Sequence, residues 1–213
     1  VSLALKELGN DTTALGFVAG FTGKAILAEI NERRLKNDFI EVEGQTRINV
    51  KIKSVAETDI NGEGAYVTAG DVTRLVKKLK KNLRSDDWVI LSGSVPPTLP
   101  GTAYADFLDE LKAPKGVNIV VDASGQLLTE SLRHKPFLIK PNIYELCEIF
   151  GIQHTLDIRK ITDCAAKLQK QGARNVIVSM GADGAVMVTE TDQAMSVRAA
   201  RGQLVNSVGA GDS

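Results

Sequence analysis

The sequence predicts an α/β protein with a mostly parallel central sheet and a small β-rich segment, and three observations carry that prediction. From about residue 70 onward, short apolar runs alternate with amphipathic helical patterns, the rhythm of strands joined by helical crossovers. Residues 40–64 break the rhythm with an alternation of polar and apolar side chains. Four apolar runs end in small, polar segments, as strands do where an open α/β sheet lines a ligand site at its C-terminal edge.

Taken in order, Val1 to Gly9 reads as the end of a helix. Leu5 and Leu8 are spaced for one face, and Gly9 suits the left-handed position that closes a helix. Its beginning is missing from the pattern, and Gly209-Ala210-Gly211-Asp212-Ser213 stops where a glycine turn would lead into a helix, so both ends are expected to be truncated. Val18-Ala19-Gly20-Phe21-Thr22-Gly23-Lys24-Ala25 looks like a phosphate-binding P-loop, but Val18 replaces the leading glycine and Ala25 the hydroxyl residue that would reach Mg²⁺. A loop with an ordinary surface lysine is the better reading.

Glu41-Val42-Glu43 and Arg47-Ile48-Asn49-Val50-Lys51-Ile52-Lys53 alternate, and Asn61-Gly62 predicts a tight turn. One wet and one dry face make residues 40–64 a candidate lid, or a surface for homodimerisation, on a core formed by residues 1–39 and 65–213. Strands are predicted at 88–91, 117–121, 137–139 and 175–178, each apolar enough to be buried on both faces. A further strand is expected at 185–188. Helices are expected near 71–83, 102–112, 143–150 and 159–171. In the first, Leu75, Val76, Leu79 and Leu83 form the apolar face, while Lys77, Lys78, Lys80, Lys81 and Arg84 make a solvated one.

Composition narrows the class. The chain has 213 residues, 26 basic and 26 acidic side chains and 43% hydrophobic residues, enough for a substantial core and without the low hydrophobicity of a disordered chain. A net charge of zero offers no global field for nucleic acid, and no apolar run is long enough for a membrane span. These features predict a cytoplasmic protein with neither nucleic-acid nor membrane partners. Cys147 and Cys164 lack metal-ligand spacing and fit buried, reduced thiols on helices.

The richest chemistry lies in Asn206-Ser207-Val208-Gly209-Ala210-Gly211-Asp212-Ser213, after the apolar Leu204-Val205. Glycines let the backbone approach an anion, and a helix starting there would aim unpaired N–H groups at a phosphoryl group, with Asp212 placed to accept a proton from an attacking hydroxyl. A plain helix cap and a dinucleotide-binding turn remain open for the same residues. Lys140-Pro141-Asn142-Ile143-Tyr144-Glu145 supplies a second constellation. Asn142 and Glu145 make a capping box, or they hold Mg²⁺ and phosphates through water, with Lys140 at a strand's C-terminal end. Ser92-Gly93-Ser94-Val95-Pro96-Pro97 and Ser179-Met180-Gly181-Ala182-Asp183-Gly184 end two more strands, as turns or as parts of a site.

These segments together resemble the phosphofructokinase B family of ribokinase-like sugar kinases. Asn206 to Asp212 resembles that family's C-terminal signature, Lys140 to Glu145 its Asn-x-x-Glu motif, and Ser179 to Gly184 its nucleotide loop. Thr46-Arg47-Ile48-Asn49-Val50-Lys51 and Ser92 to Pro97 are most similar to kinases of phosphorylated ketoses, those of fructose 1-phosphate and of tagatose 6-phosphate, and the first segment leans toward the former.

The resemblance implies a three-layer fold with a small β lid and ATP-dependent phosphorylation of fructose 1-phosphate to fructose 1,6-bisphosphate. It makes Asp212 the base and the amides of Gly209, Ala210 and Gly211 the anion hole. Arg47 becomes the contact to the substrate phosphate, with Ser94 beside the sugar. Lys140, Asn142, Ser179, Met180, Gly181, Ala182, Asp183 and Gly184 fall to ATP, and Asn142 and Glu145 organise Mg²⁺ through water. It also implies a monovalent cation near Asn206 and Val208. Tagatose-6-phosphate kinase, another ribokinase-like carbohydrate kinase, a catalytically silent sugar-phosphate-binding regulator and a Rossmann dehydrogenase remain alternatives. The family's N-terminal sugar-gripping aspartate and the adenine-binding segment have no counterpart in these residues, so this form of the chain is expected to be inactive.

Overall fold

In the computed structural model, which describes residues 1–53 and 57–200, the chain divides into two units. The first comprises Val1–Asn82 with Val95–Pro100; the second begins with Leu83–Ser94 and resumes at Gly101.

The first unit opens with helix α1 (Ser2–Glu7), which ends as its sequence predicts: Gly9 adopts φ +79°, and its N–H donates to the Lys6 carbonyl at 2.9 Å. Short strands β1 (Thr13–Ala14) and β2 (Phe17–Val18) precede helix α2 (Gly20–Glu32), then β3 (Lys36–Asn37) and β4 (Ile40–Glu41). β1 pairs with β3 and β2 with β4, both in parallel. The P-loop look-alike is therefore the first turn of a helix, not the loop expected for it. Gly20, at φ +59°, allows the chain to turn sharply into that helix.

Strands β5 (Asn49–Lys53) and β6 (Glu57–Asn61) form an antiparallel hairpin with Asn49 opposite Asn61 and Val50 opposite Ile60. This corrects the turn expected at Asn61-Gly62. That pair lies at the open end of the hairpin, where the Gly62 N–H donates to the Ile48 carbonyl at 3.1 Å. Arg47 precedes β5 rather than lying in it. Ile48, Val50, Ile52 and Ile60 are all exposed, between 46% and 56%, so the face expected to be dry is left uncovered among the described residues. Helix α3 (Ala69–Asn82) buries Val76, leaves Lys77, Lys80 and Lys81 exposed, and pairs Lys78 with Asp38. At its start the Thr68 N–H and hydroxyl both donate to Asp71, at 2.9 and 2.7 Å, which holds that carboxyl down to about 2.

The second unit contains every element expected for it, with ends within two residues of expectation, and adds a helix at Gly125–Ser131 and a strand at Ala194–Val197 that the sequence reading did not anticipate. Its elements are β7 (Trp88–Ser92), α4 (Ala103–Leu111), β8 (Asn118–Asp122), α5 (Gly125–Ser131), β9 (Leu138–Ile139), α6 (Ile143–Phe150), α7 (Ile158–Gln171), β10 (Asn175–Ser179), β11 (Ala185–Val188) and β12 (Ala194–Val197). They build a six-stranded sheet in the order β12-β11-β10-β9-β8-β7, parallel from β7 to β10 and antiparallel at β11 and β12. The mostly parallel α/β fold is thereby realised.

The expectation that the strands are buried on both faces needs correction. Val89, Ile119, Val121, Ile139, Val176, Val178, Val186 and Val188 share one face and are buried. Ile90, Val120, Leu138, Ile177 and Met187 occupy the other and are only half-buried. A continuous apolar run fixes a strand, but it does not reveal how completely each face is covered. Cys147 and Cys164 are buried and unpaired, and burial pushes the Cys164 thiol up. Among the described residues, no helix is long and apolar enough to cross a membrane.

Candidate active site

Because β7 to β10 run in parallel, their C-terminal ends fall along one edge of the second unit. β7 ends in Ser92, and the next residue, Gly93 at φ +87°, turns the chain so that its N–H donates to the Asp122 carbonyl at 3.1 Å. β8 ends in Asp122. Beyond β9 the Lys140 N–H donates to the Val121 carbonyl at 3.1 Å, which places the lysine one strand over from Asp122, and its ammonium lies 3.1 Å from that carboxylate. Beyond β10's last residue, Ser179, whose N–H donates to the Pro141 carbonyl at 3.1 Å, the chain turns through Gly181–Asp183. An isolated bridge joins Asn142 to Ser179. Backbone pairing alone thus brings Ser92, Gly93, Asp122, Lys140, Asn142 and Ser179 into a row.

Asn142 starts α6 with a full capping box. Its side-chain oxygen accepts the N–H groups of Tyr144 and Glu145, both at 2.9 Å, and its own N–H donates to Glu145 Oε2 at 2.8 Å. The structural reading of this motif is therefore correct, and it leaves room for the functional one. Glu145 Oε1 takes no hydrogen bond among the described residues and stays available at a helix N-terminus.

The Ser179–Gly184 turn is held from within. Met180 is buried, and its N–H donates to the Gly184 carbonyl at 2.8 Å. Gly184 sits at φ +97°, where a Cβ would lie 1.9 Å from the Val197 carbonyl oxygen, so only glycine fits. Gly181, by contrast, faces open space.

Two residues at this edge escaped the sequence reading. Asp122 follows directly on the apolar run Ile119-Val120-Val121, and an acid at that point, before Ala123-Ser124-Gly125, was the available signal. Tyr104 on α4 donates its hydroxyl to the Gly93 carbonyl at 3.0 Å. Burial, reinforced by the Asp122 charge, pushes its phenol up to about 12, so it remains a donor at any physiological pH. Nothing in a helical pattern marks a tyrosine whose partner is a backbone carbonyl.

Ser94 is exposed at the end of the β7 segment. In the first unit Arg47 is also exposed and has no ion-pair partner among the described residues. Gly209, Ala210, Gly211 and Asp212, with the cation segment around Asn206 and Val208, lie outside the described residues. Among the described residues no cluster of three His, Cys, Asp or Glu side chains could chelate a metal.

The whole chain, residues 1–213, matches the pfkB family of carbohydrate kinases. It is 41% identical over 213 residues to the 1-phosphofructokinase of Bacillus subtilis, covering 100% of this chain and 69% of that one. It is 35% identical over 212 residues to the D-tagatose-1-phosphate kinase of Bacillus licheniformis, again covering 100% of this chain and 69% of that one. Among solved structures, a Staphylococcus aureus protein assigned as a phosphofructokinase superposes with a TM-score of 0.81 at 39% identity, over 99% of this chain and 68% of that one. Escherichia coli phosphofructokinase-2 in complex with fructose-6-phosphate shares the fold, with a TM-score of 0.85 at 23% identity over 99% and 69% of the two chains. The chain belongs to the pfkB family of carbohydrate kinases, enzymes that transfer a phosphoryl group from ATP to a sugar hydroxyl.

Proposed function

We propose that the protein phosphorylates fructose 1-phosphate to fructose 1,6-bisphosphate. The 41% identity to a 1-phosphofructokinase over the whole chain carries this reading. An exposed arginine suits it as well, because a guanidinium can clamp a phosphate through two parallel hydrogen bonds. In this reading Arg47 binds the phosphate already on the sugar, and Ser94 lies beside the sugar. Lys140 and the Ser179–Gly184 turn hold the nucleotide.

The sugar oxygen attacks the γ-phosphorus. A new O–P bond forms, the bond to the β,γ-bridging oxygen breaks, ADP leaves, and Asp212 takes the hydroxyl proton. The Gly209, Ala210 and Gly211 amides receive the charge on the transferring group. Bound Mg²⁺ would supply further neutralisation of the phosphates. Glu145, with one carboxylate oxygen uncommitted among the described residues, fits a water-mediated role toward that ion, since Mg²⁺ usually keeps several waters and takes few protein ligands. The exposed Ile48, Val50, Ile52 and Ile60 face supports a homodimer contact through the hairpin.

The kinship to a D-tagatose-1-phosphate kinase favours one second reading, the ketose epimer phosphorylated at the same position. A coupled assay of the full-length protein across fructose 1-phosphate, tagatose 1-phosphate, tagatose 6-phosphate, fructose 6-phosphate and ribose separates these. The highest kcat/KM is expected for fructose 1-phosphate. A preference for any other sugar in the panel overturns the proposal.

A further inference from the structure

We propose that the first turn of α2, the P-loop look-alike Gly20–Gly23, is a clamp that positions Arg47 for the substrate phosphate. This rests on reading Arg47 as that contact. Four hydrogen bonds tie the two residues before Arg47 to the start of this helix. The Ala19 N–H donates to Thr46 Oγ1 at 2.8 Å, and the Thr46 N–H donates back to the Ala19 carbonyl at 2.9 Å. The Phe21 N–H donates to Gln45 Oε1 at 3.0 Å, and the Thr22 hydroxyl donates to the Thr46 carbonyl at 2.7 Å. Two N–H groups at the helix entrance, which an anion would otherwise seek, are thus taken by side chains of the segment that carries Arg47.

The glycines of the look-alike have a steric purpose in this arrangement. A Cβ on Gly20 would lie 2.0 Å from Gln45 Oε1, and one on Gly23 would lie 3.1 Å from Thr46 Oγ1. On the far side, the Cβ positions of Gly62 and Gly64 come within 3.7 and 3.5 Å of the Arg47 Cβ, and the Gly62 N–H is bonded to the Ile48 carbonyl. The base of the arginine is therefore held from two directions, while its guanidinium has no ion pair among the described residues. A side chain fixed at its root and uncommitted at its head loses less entropy when it binds a phosphate. Thr22 and Gln45 act through Arg47 and are positioning residues.

Thr22→Val is nearly isosteric and removes one donor; Gln45→Met, at an exposed position, removes one acceptor. Each is expected to raise KM for fructose 1-phosphate about fivefold, the worth of one hydrogen bond, in the full-length protein. kcat and the KM for ATP should stay within about twofold of the parent, and Thr22→Ser should restore the sugar KM. Combined with Arg47→Ala, Thr22→Val should add nothing further, because its effect passes through the arginine. An unchanged sugar KM in both single variants, with Arg47→Ala still raising it, overturns the clamp and leaves the role of Arg47 standing. Full additivity in the double variant also overturns it. If Arg47→Ala itself leaves KM unaltered, the reading of Arg47 fails and takes the clamp with it.

Discussion

The two edges of the β7–β10 sheet are built to opposite specifications. At the N-terminal edge the polar heads gathered around Phe137 are used. Trp88 meets Phe137 edge-to-face with ring centroids 4.9 Å apart, and the Arg174 guanidinium lies 4.9 Å from the same ring. Arg174 also grips Glu190 with two hydrogen bonds, at 2.7 and 3.1 Å. The Asn175 amide is spent on the Phe137 carbonyl at 2.8 Å and the Glu190 N–H at 3.1 Å. At the C-terminal edge, side chains of similar polarity keep capacity in reserve. Among the described residues Lys140 has one carboxylate for its three donors, Glu145 has an uncommitted oxygen, and Gly181 faces open space. A saturated edge holds a sheet together, and an unsaturated one can bind. Substitutions at the two edges should therefore separate stability from catalysis.

The largest effect is expected from Lys140→Met. Removing the ammonium should lower kcat/KM for ATP at least tenfold, about 1.4 kcal/mol or more, while folding stability changes by less than about 1 kcal/mol, since the Asp122 pair is partly solvated. Steady-state kinetics and urea denaturation on the same preparation read both numbers. A variant that loses stability but binds ATP normally would place Lys140 with the structural edge and dissolve the contrast.

Much of this contrast was legible in the sequence, and the gaps have physical causes. The strands β7, β8, β10 and β11 are apolar runs whose bounds the sequence marks closely, and the capping box from Asn142 to Glu145 declares both a helix start and a polar site. Asp122 carries no apolar signal, because the apolar run stops at Val121, one residue short of where the strand itself ends. The two-residue strands β1 to β4 carry no periodicity, so no pattern could announce them. Asn61-Gly62 has turn chemistry but is claimed by the β6 pairing and the Ile48 carbonyl, a tertiary choice that local propensity does not contain. The glycines at 20 and 23 suggest a loop until their neighbours are known. Gln45 and Thr46 lie more than twenty residues away in sequence, yet they determine why those two positions have no side chain.

An intermediate effect should follow from Tyr104→Phe, which removes the hydroxyl that steadies the Gly93 turn at the C-terminal edge. The loss should be about 1 kcal/mol of stability near neutral pH. The pH dependence sharpens the test. The folded phenol is pushed from 10.0 to about 12, so the folded state binds the proton more tightly than the unfolded chain. The associated stability is complete below about 10 and drains away as pH climbs toward about 12. Denaturation midpoints across that interval should fall in the parent and fall less in the phenylalanine variant. Identical alkaline slopes would show that the hydroxyl is not the group being titrated.

The smallest effect is expected at the opposite edge, from Glu190→Gln. Both partners of the Arg174–Glu190 pair are nearly half exposed, so water and salt screen it, and a bidentate geometry raises its worth only modestly. Hydrogen bonds from Arg174 hold the Glu190 carboxyl below its usual range. A depressed carboxyl stabilises the fold above its unfolded value, and that contribution is lost as pH falls through its folded one. The glutamine variant should therefore melt slightly below the parent at neutral pH, and the gap should close on acidification and shrink at high salt. KM for ATP and for the sugar phosphate should not move, because nothing at this edge faces the C-terminal ends of the strands. A shifted KM with an unshifted melting temperature would reverse the division of labour between the two edges: the saturated side would then be tuning the site, and the reserve capacity opposite it could no longer be read as the mark of binding.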